Sequence, residues 1–252
     1  MTVKIGSLFS GIGGFELGLE RAIPGAITVW QCEQNKFCQK VLKKHWSRAI
    51  IYDDVKNIDE TVEPVDLLCG GFPCQDISNS GQQRGIKHGT RSGLWWEMHR
   101  ITRILQPRIV IMENVAAILS VGGRTVLGSL TEIGYDCEWT VISSGSAFGL
   151  PHQRKRWFGI AYPTGFRQQG QGGHRHPQYP KKNKDWKTGG FISAVQGSAL
   201  PFMCRTHNGF PKGLASNMMK ALGNAITPQS SQWIGEQIVQ SGLLDDLIGG
   251  EV

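Results

Sequence analysis

A strand, a glycine-rich turn and a helix follow one another over residues 2–24, and that order leaves few folds open. Val3–Leu8 reads as a short buried strand, and Phe9-Ser10-Gly11-Ile12-Gly13-Gly14-Phe15 as a turn into a helix that ends near Pro24. Such a turn aims backbone N–H groups and the positive end of the helix at a ligand. It is the opening of a nucleotide-type α/β fold. The next strand, 27–32, ends at Glu33, 20 residues beyond Gly13. A carboxylate there can accept both hydroxyls of a ribose, the alternative being a solvated carboxylate at the start of the next helix. The glycines are spaced G-x-G-G, which fits a dinucleotide less well than G-x-G-x-x-G.

The later elements repeat the alternation of strand and helix. Phe37, Val41 and Leu42 mark one helical face, 48–52 is a strand leading to Asp53-Asp54, and 65–69 is an apolar run ended by Gly70-Gly71. An aspartate at a strand's carboxyl end can accept the exocyclic amine of adenine or merely cap the next turn. Leu94, Trp95, Met98, Ile101 and Leu105 recur at helical spacing, and Ile109-Val110-Ile111-Met112 is apolar on both faces, as a strand of a covered sheet must be. A helix around 126–133 and strands around 135–142 and 157–162 complete an α/β, doubly wound fold with a mostly parallel sheet. Glycine, glutamine, histidine and lysine dominate from 164 to about 201, so that stretch cannot build its own core. The expected division is one domain of 1–162 with 211–252, and a small irregular region, 163–210, which Trp186 and Phe191 would anchor. Met218, Met219 and Leu222 then precede Gly223-Asn224-Ala225-Ile226-Thr227-Pro228 and a helix carrying Trp233, Ile234 and Ile238; the tail after Gly242 reads as frayed.

Charge and cysteine usage narrow the partners. The 252 residues carry 27 Lys and Arg against 20 Asp and Glu, a net charge of +7, which favours a polyanionic partner. There is no signal-peptide pattern and no apolar run near the ~20 residues that span a bilayer, so the expectation is a cytoplasmic protein with no membrane partner. Cysteines 32, 38, 69, 74, 137 and 204 show no C-x-x-C spacing, and His174 and His176 lack a partner at ligand spacing. Reduced thiols and no metal are expected.

Three stretches carry chemistry. Gly70-Gly71-Phe72-Pro73-Cys74-Gln75 puts a thiol beyond a strand's carboxyl end, where α/β proteins gather their reactive groups, and cysteine becomes a nucleophile when its thiolate is favoured. The alternative is a small apolar residue in a tight turn. Glu113-Asn114-Val115 ends a buried strand, where a carboxylate can hold a proton or a substrate amine, or cap a helix. Alternation would send Arg154 and Arg156 to one face, able to grip a phosphate, a carbonyl or a carboxylate, or to form a solvated edge. Residues 79–91, polar and glycine-rich, read as a lid.

The segments at 9–15, 72–75, 113–115, 154–156 and 223–226 stand in the order and spacing of the cytosine-C5 DNA methyltransferase family, which the chain resembles along nearly its whole length outside 164–200. The resemblance implies a class I, Rossmann-like methyltransferase fold. It implies that Phe9, Ser10, Gly11, Gly13, Gly14, Glu33, Asp54, Pro73, Leu94, Asn224 and Ile226 surround S-adenosylmethionine, with Glu33 on the ribose and Asp54 on the adenine, and that S-adenosylhomocysteine is the product. Cys74 would attack carbon 6 of a flipped-out cytosine, Glu113 would stabilise a proton at N3, and Arg156 would hold the carbonyl, with Arg154 assisting it or gripping phosphate. The partner implied is double-stranded DNA, contacted by Gln75, Ser78, Arg84 and Arg91 on one side of the base. Arg167, Arg175 and Arg205 would contact it from 163–210, which becomes a target-recognition region. A cognate restriction endonuclease is a further candidate partner, and the chain is expected to act as a monomer. His152 stands where the family usually has glutamine, and the short recognition region implies a target on the order of two to four base pairs. Three other readings remain: a tRNA-methylating member of the family, a DNA-binding module with a dead fold, and a nicotinamide-dependent oxidoreductase, the last disfavoured by the glycine spacing.

Overall fold

Successive residues of a strand leave opposite faces of the sheet, and in this chain both sets are apolar. In β5 (Ile109–Val115), Ile109 and Ile111 enter one core while Val110 and Met112 enter the other; β4 (Leu67–Gly71) divides Leu67 and Cys69 from Leu68 in the same way. A sheet with two apolar faces needs helices on both. A computed structural model describes residues 2–73, 92–150, 154–165 and 221–248 and supplies those helices.

Among the described residues one seven-stranded sheet runs in the order β3-β2-β1-β4-β5-β7-β6. Its strands are β1 (Val3–Leu8), β2 (Ala26–Cys32), β3 (Ile50–Tyr52), β4, β5, β6 (Tyr135–Ser143) and β7 (Lys155–Pro163). The pairings from β3 to β5 are parallel, and β7 runs antiparallel to both its neighbours. After β1 the chain winds outward to β2 and β3, then crosses to β4, so the direction switches between β1 and β4. Open α/β sheets bind ligands outside the carboxyl ends of the strands at such a switch.

Helix α1 (Gly14–Ala22) covers one face with α6 (Ser144–Phe148) and α7 (Pro228–Gln240); α2 (Lys36–His45) flanks the β3 edge. The other face carries α3 (Trp95–Leu105), α4 (Ile118–Val121) and α5 (Gly123–Glu132), with Trp95, Met98, Ile101, Val126 and Leu130 buried. The approach of α1 to α7 is close: a Cβ at Gly18 would lie 2.1 Å from Ser231 Oγ and 2.4 Å from the Pro228 carbonyl. Ser231 Oγ also donates to the Gly14 carbonyl at 2.9 Å. The C-terminal helix is thereby locked onto the helix that starts at the glycine turn.

The structure departs from the sequence expectations at several places. Gly70 and Gly71 belong to β4, which ends at Gly71, because they continue the ladder opposite Met112 and Glu113, while residues 65 and 66 lie outside it. Residues 48 and 49 lie outside β3. The buried positions of α2 are Cys38 and Leu42, with Phe37 and Val41 half-buried, since the helix has only one flank against the sheet. The tail after Gly242 is held: Leu243 and Leu244 are buried, Asp245–Ile248 forms α8, and the Asp246 carboxylate pairs with both terminal nitrogens of Arg108. Trp186, Phe191, Met218 and Met219 lie outside the described residues.

Candidate active site at the carboxyl ends of the strands

The glycine turn is built by hydrogen bonds from β1 and β2. Ser10 N–H donates to the Cys32 carbonyl at 3.1 Å, and Ser10 Oγ to Ser7 Oγ at 3.0 Å. Gly11 N–H donates to Glu33 Oε2 at 2.8 Å, and Asn35 N–H to Glu33 Oε1 at 2.7 Å. The cap of α2 is Asn35, whose Oδ1 accepts from Phe37 and Cys38 N–H. Glu33 is therefore a brace between the turn and the next loop, and each oxygen keeps a further lone pair for a ligand. Phe9, just before the turn, has φ +56°, a conformation that costs a side-chain-bearing residue of order 1–3 kcal/mol and clusters at ligand sites.

The segment 223–226 arrives over this turn from the far end of the chain. A Cβ at Gly14 would lie 2.1 Å from the Ile226 carbonyl oxygen, and one at Gly71 3.3 Å from Ile226 Cδ1. Ile226 thus bridges the glycine turn and the end of β4, while Asn224 beside it is exposed. Leu94, half-buried, precedes α3 and packs against the core that holds Trp95. Asp54 is exposed and its Oδ1 caps a short turn at 55–57 by accepting from Lys56 N–H at 3.0 Å. That is the capping alternative, and it leaves the second carboxylate oxygen available.

Beside the end of β4 lies the acidic part of the site. Glu113 pairs with Gly71 across the sheet, and Glu113 Oε2 sits 2.9 Å from where a Gly71 Cβ would be. Arg156 Nε, from β7, approaches Glu113 Oε1 to 2.8 Å. It is a close contact between the guanidinium and a buried carboxyl group. Burial raises the Glu113 carboxyl above the usual carboxylate range, with Arg156 and then Arg154 pulling it back down. Neither Glu113 nor Asn114 caps a helix; Asn114 Nδ2 donates to the Phe72 carbonyl at 3.0 Å and fixes the chain leading to Pro73. Arg154 Nη1 donates to the Gly223 carbonyl at 2.7 Å. The tie to the 223–226 segment was not legible in the sequence, nor was the Asn114 bond, because neither partner belongs to a local pattern.

Cys74 lies outside the described residues, with Gln75, Ser78, Arg84, Arg91, His152, Arg167, Arg175, Arg205 and the lid expected at 79–91. Pro73, half-buried, is the last described residue before it. The described thiols are unsuited to nucleophilic attack: burial pushes Cys32 up to about 12, Cys38 to about 11, Cys137 to about 12, and Cys69 well above its ordinary range. A thiol in that state stays protonated at neutral pH. Among the described residues no group of His, Cys, Asp and Glu could hold a metal ion, and no helix is long and apolar enough to cross a membrane.

A glycine turn at the switch point of a mostly parallel sheet, with a reversed β7, defines the class I, Rossmann-like methyltransferase fold. The same fold is seen in the crystal structure of S. pombe Dnmt2 methyltransferase, at a TM-score of 0.62 and 16% identity over 97% of this chain and 99% of that one. A DNA modification methyltransferase of an E. coli prophage superposes at a TM-score of 0.53 with 22% identity, over 64% of this chain and 47% of that one. Residues 3–201 match the model of the C-5 cytosine-specific DNA methylase family, and the chain belongs to that family. It is 35% identical over 164 residues to type II methyltransferase M.CviJI of Paramecium bursaria Chlorella virus IL3A, 64% of this chain and 43% of the relative. It is 34% identical over 159 residues to M.HhaI of Haemophilus parahaemolyticus, 62% of this chain and 47% of the relative. The chain spans about half the length of these relatives.

Proposed function

We propose that the protein is a DNA (cytosine-5-)-methyltransferase that takes its methyl group from S-adenosylmethionine. The observation that carries this reading is the Glu113–Arg156 pair beside the end of β4, next to the glycine turn braced by Glu33. The residues fit the donor. Glu33 and Asp54 offer acceptors for hydroxyls and an amine, Phe9, Pro73, Leu94 and Ile226 offer apolar surface, and a Cβ at Gly11 would meet nothing within 4 Å, so the outer side of the turn is open. Ser10, Gly13, Gly14 and Asn224 complete the set. When bound, S-adenosylmethionine supplies an electrophilic methyl group on a sulfonium.

The chain's own residues make cytosine able to receive it. Carbon 5 is a poor nucleophile, so the Cys74 thiolate adds to carbon 6 while Glu113 holds a proton at N3. The electron pair displaced toward carbon 5 would then be free to take the methyl group, the sulfonium–methyl bond breaking to leave S-adenosylhomocysteine. Loss of the carbon-5 proton and elimination of the thiolate restore the ring. Burial, which raises the proton affinity of the Glu113 carboxyl, suits that role. Arg156, fixed against that carboxyl, orients the cytosine carbonyl, and Arg154 assists from the neighbouring position. The reaction needs the base outside the stack, and double-stranded DNA is the substrate proposed, held by phosphate contacts suited to the net charge of +7. Residues 1–162 with 211–252 would form the catalytic domain and 163–210 the recognition region. Incubation with methyl-labelled donor and duplex DNA or tRNA tests the reading: label in cytosine of DNA supports it, and label in tRNA alone overturns it.

A further inference from the structure

A buried acid and a buried amide meet beneath the glycine turn. Glu16 on α1 and Gln31 on β2 are both fully buried, and Gln31 Nε2 donates to Glu16 Oε1 at 3.0 Å. Glu16 Oε2 and Gln31 Oε1 have no hydrogen-bond partner of normal geometry among the described residues. If the carboxyl were ionised, Gln31 Oε1 would be a buried acceptor without a donor, which native proteins avoid, and Glu16 would rely on the Ser7 and Ser10 hydroxyls besides the amide. A proton on Glu16 supplies the donor that the amide carbonyl lacks. A neutral acid can donate its O–H to the amide carbonyl while its own carbonyl accepts the amide N–H, a reciprocal pairing that a carboxylate cannot make.

The surroundings favour the neutral form. Ser7 of β1 lies between Gln31 and Cys69 in the ladder, and Ser10 of the turn bonds to Ser7. The titratable neighbours are Cys69 of β4 and Glu20 on the next turn of α1, and neither is a cation. Helix α7 covers α1 from the other side, and its one charged side chain, Glu236, accepts from Gln232 Nε2 at 3.1 Å. Burial raises the Glu16 carboxyl above the usual range, while the hydrogen-bonding groups of Ser7, Gln31 and Ser10 oppose that shift only in part.

We propose that Glu16 carries a proton in the folded protein at neutral pH and, paired with Gln31, is a positioning residue that fixes the glycine turn for the methyl donor. The inference rests on the donor reading of that turn. The mechanical path is short: Gln31 is opposite Ser7 and two residues from Glu33, whose carboxylate accepts from Gly11 N–H. A neutral pair ties α1 to β2 without placing a second negative charge under the turn.

Infrared difference spectra of the full chain, wild type against Glu16→Gln, test the proton. A protonated-carboxyl band present at pH 7 in the wild type and missing in the variant is expected; a carboxylate band in its place overturns the proposal. Calorimetry with S-adenosylhomocysteine tests the positioning. Glu16→Gln can donate and accept as the neutral acid does, so it should bind within roughly twofold of wild type, whereas Glu16→Ala leaves the amide unsatisfied and should bind roughly tenfold more weakly. Equal binding by both variants, or weakening by Gln as large as that by Ala, refutes the positioning role. If Glu16→Ala does not fold, the spectrum and the rescue by Gln still decide the matter. A wild type that shows the band yet binds no S-adenosylhomocysteine sinks the donor reading and leaves the proton assignment standing.

Discussion

Arg154 Nη1 donates to the carbonyl of Gly223 at 2.7 Å and so ties the residue ahead of β7 to the segment lying over the glycine turn. The two are 69 positions apart in the chain. The contact joins the Glu113 side of the site to the side proposed for the methyl donor.

Replacing Arg154 by alanine is expected to release that segment. A partly exposed charged hydrogen bond of this kind is worth about 1 kcal/mol, or roughly fivefold in donor affinity. Calorimetry with S-adenosylhomocysteine checks it. Unchanged donor binding, with only DNA affinity reduced, would restrict Arg154 to a phosphate or base contact.

Glu33 and Asp54 separate bracing from binding. Glu33→Ala removes the acceptor of two backbone N–H groups and should reduce both donor affinity and stability by about 1–3 kcal/mol. Asp54→Asn keeps an oxygen to cap Lys56 N–H, so the melting temperature should hold while donor affinity falls several-fold. If Asp54→Asn leaves affinity unchanged, Asp54 is a cap and nothing more.

Burial of Glu113 has a thermodynamic consequence of definite sign. Its carboxyl keeps a proton to higher pH in the folded chain than in the unfolded one, where release occurs near about 4.3. The folded state therefore binds more protons in the window between that value and its own raised one, and the wild type loses stability as pH rises through it. Glu113→Gln cannot titrate. Denaturant midpoints at pH 4 and pH 7 should show the variant gaining on the wild type as pH increases, with methyl transfer nearly abolished at both. A variant that loses ground to the wild type as pH rises would mean that Arg156 outweighs burial.

Ending the chain after Gly242 should be costly. Leu243 and Leu244 are 4% and 0% exposed, and burying a leucine stabilises by about 1.5–3 kcal/mol. Losing both, together with the Arg108–Asp246 pair, should lower the melting temperature by on the order of 10 °C. A change within about 2 °C would make the tail dispensable.

The tail shows why some of the fold was hidden in the sequence. Leu243 and Leu244 follow a glycine and precede two aspartates, a local pattern of fraying that contacts far back in the chain override. Glu16 was hidden for the same reason: in a short helix it reads as a solvent-facing charge, and the α7 that covers α1 is more than 200 residues away. What was legible rested on local rules. The ends of β1 follow from alternation and the glycine turn, and α3 from the spacing of Trp95, Met98 and Ile101. Glu113 and Arg156 were each visible as strand-end charges. Their meeting was not, since it depends on β7 running antiparallel to β5 and setting Arg156 diagonally across from Glu113.

The proposed reaction turns on attack of the thiol following Pro73 on the cytosine. Duplex DNA containing 5-fluorocytosine at target sites, incubated with the protein and S-adenosylmethionine, tests it most directly, because fluorine at carbon 5 cannot leave as the proton does and the adduct is trapped. Mass spectrometry of a digest is expected to find the modified nucleotide on Cys74, and Cys74→Ser to yield none while still binding S-adenosylhomocysteine. A Cys74→Ser protein that methylates DNA at a rate near wild type, or an adduct mapped to another residue, would contradict the account.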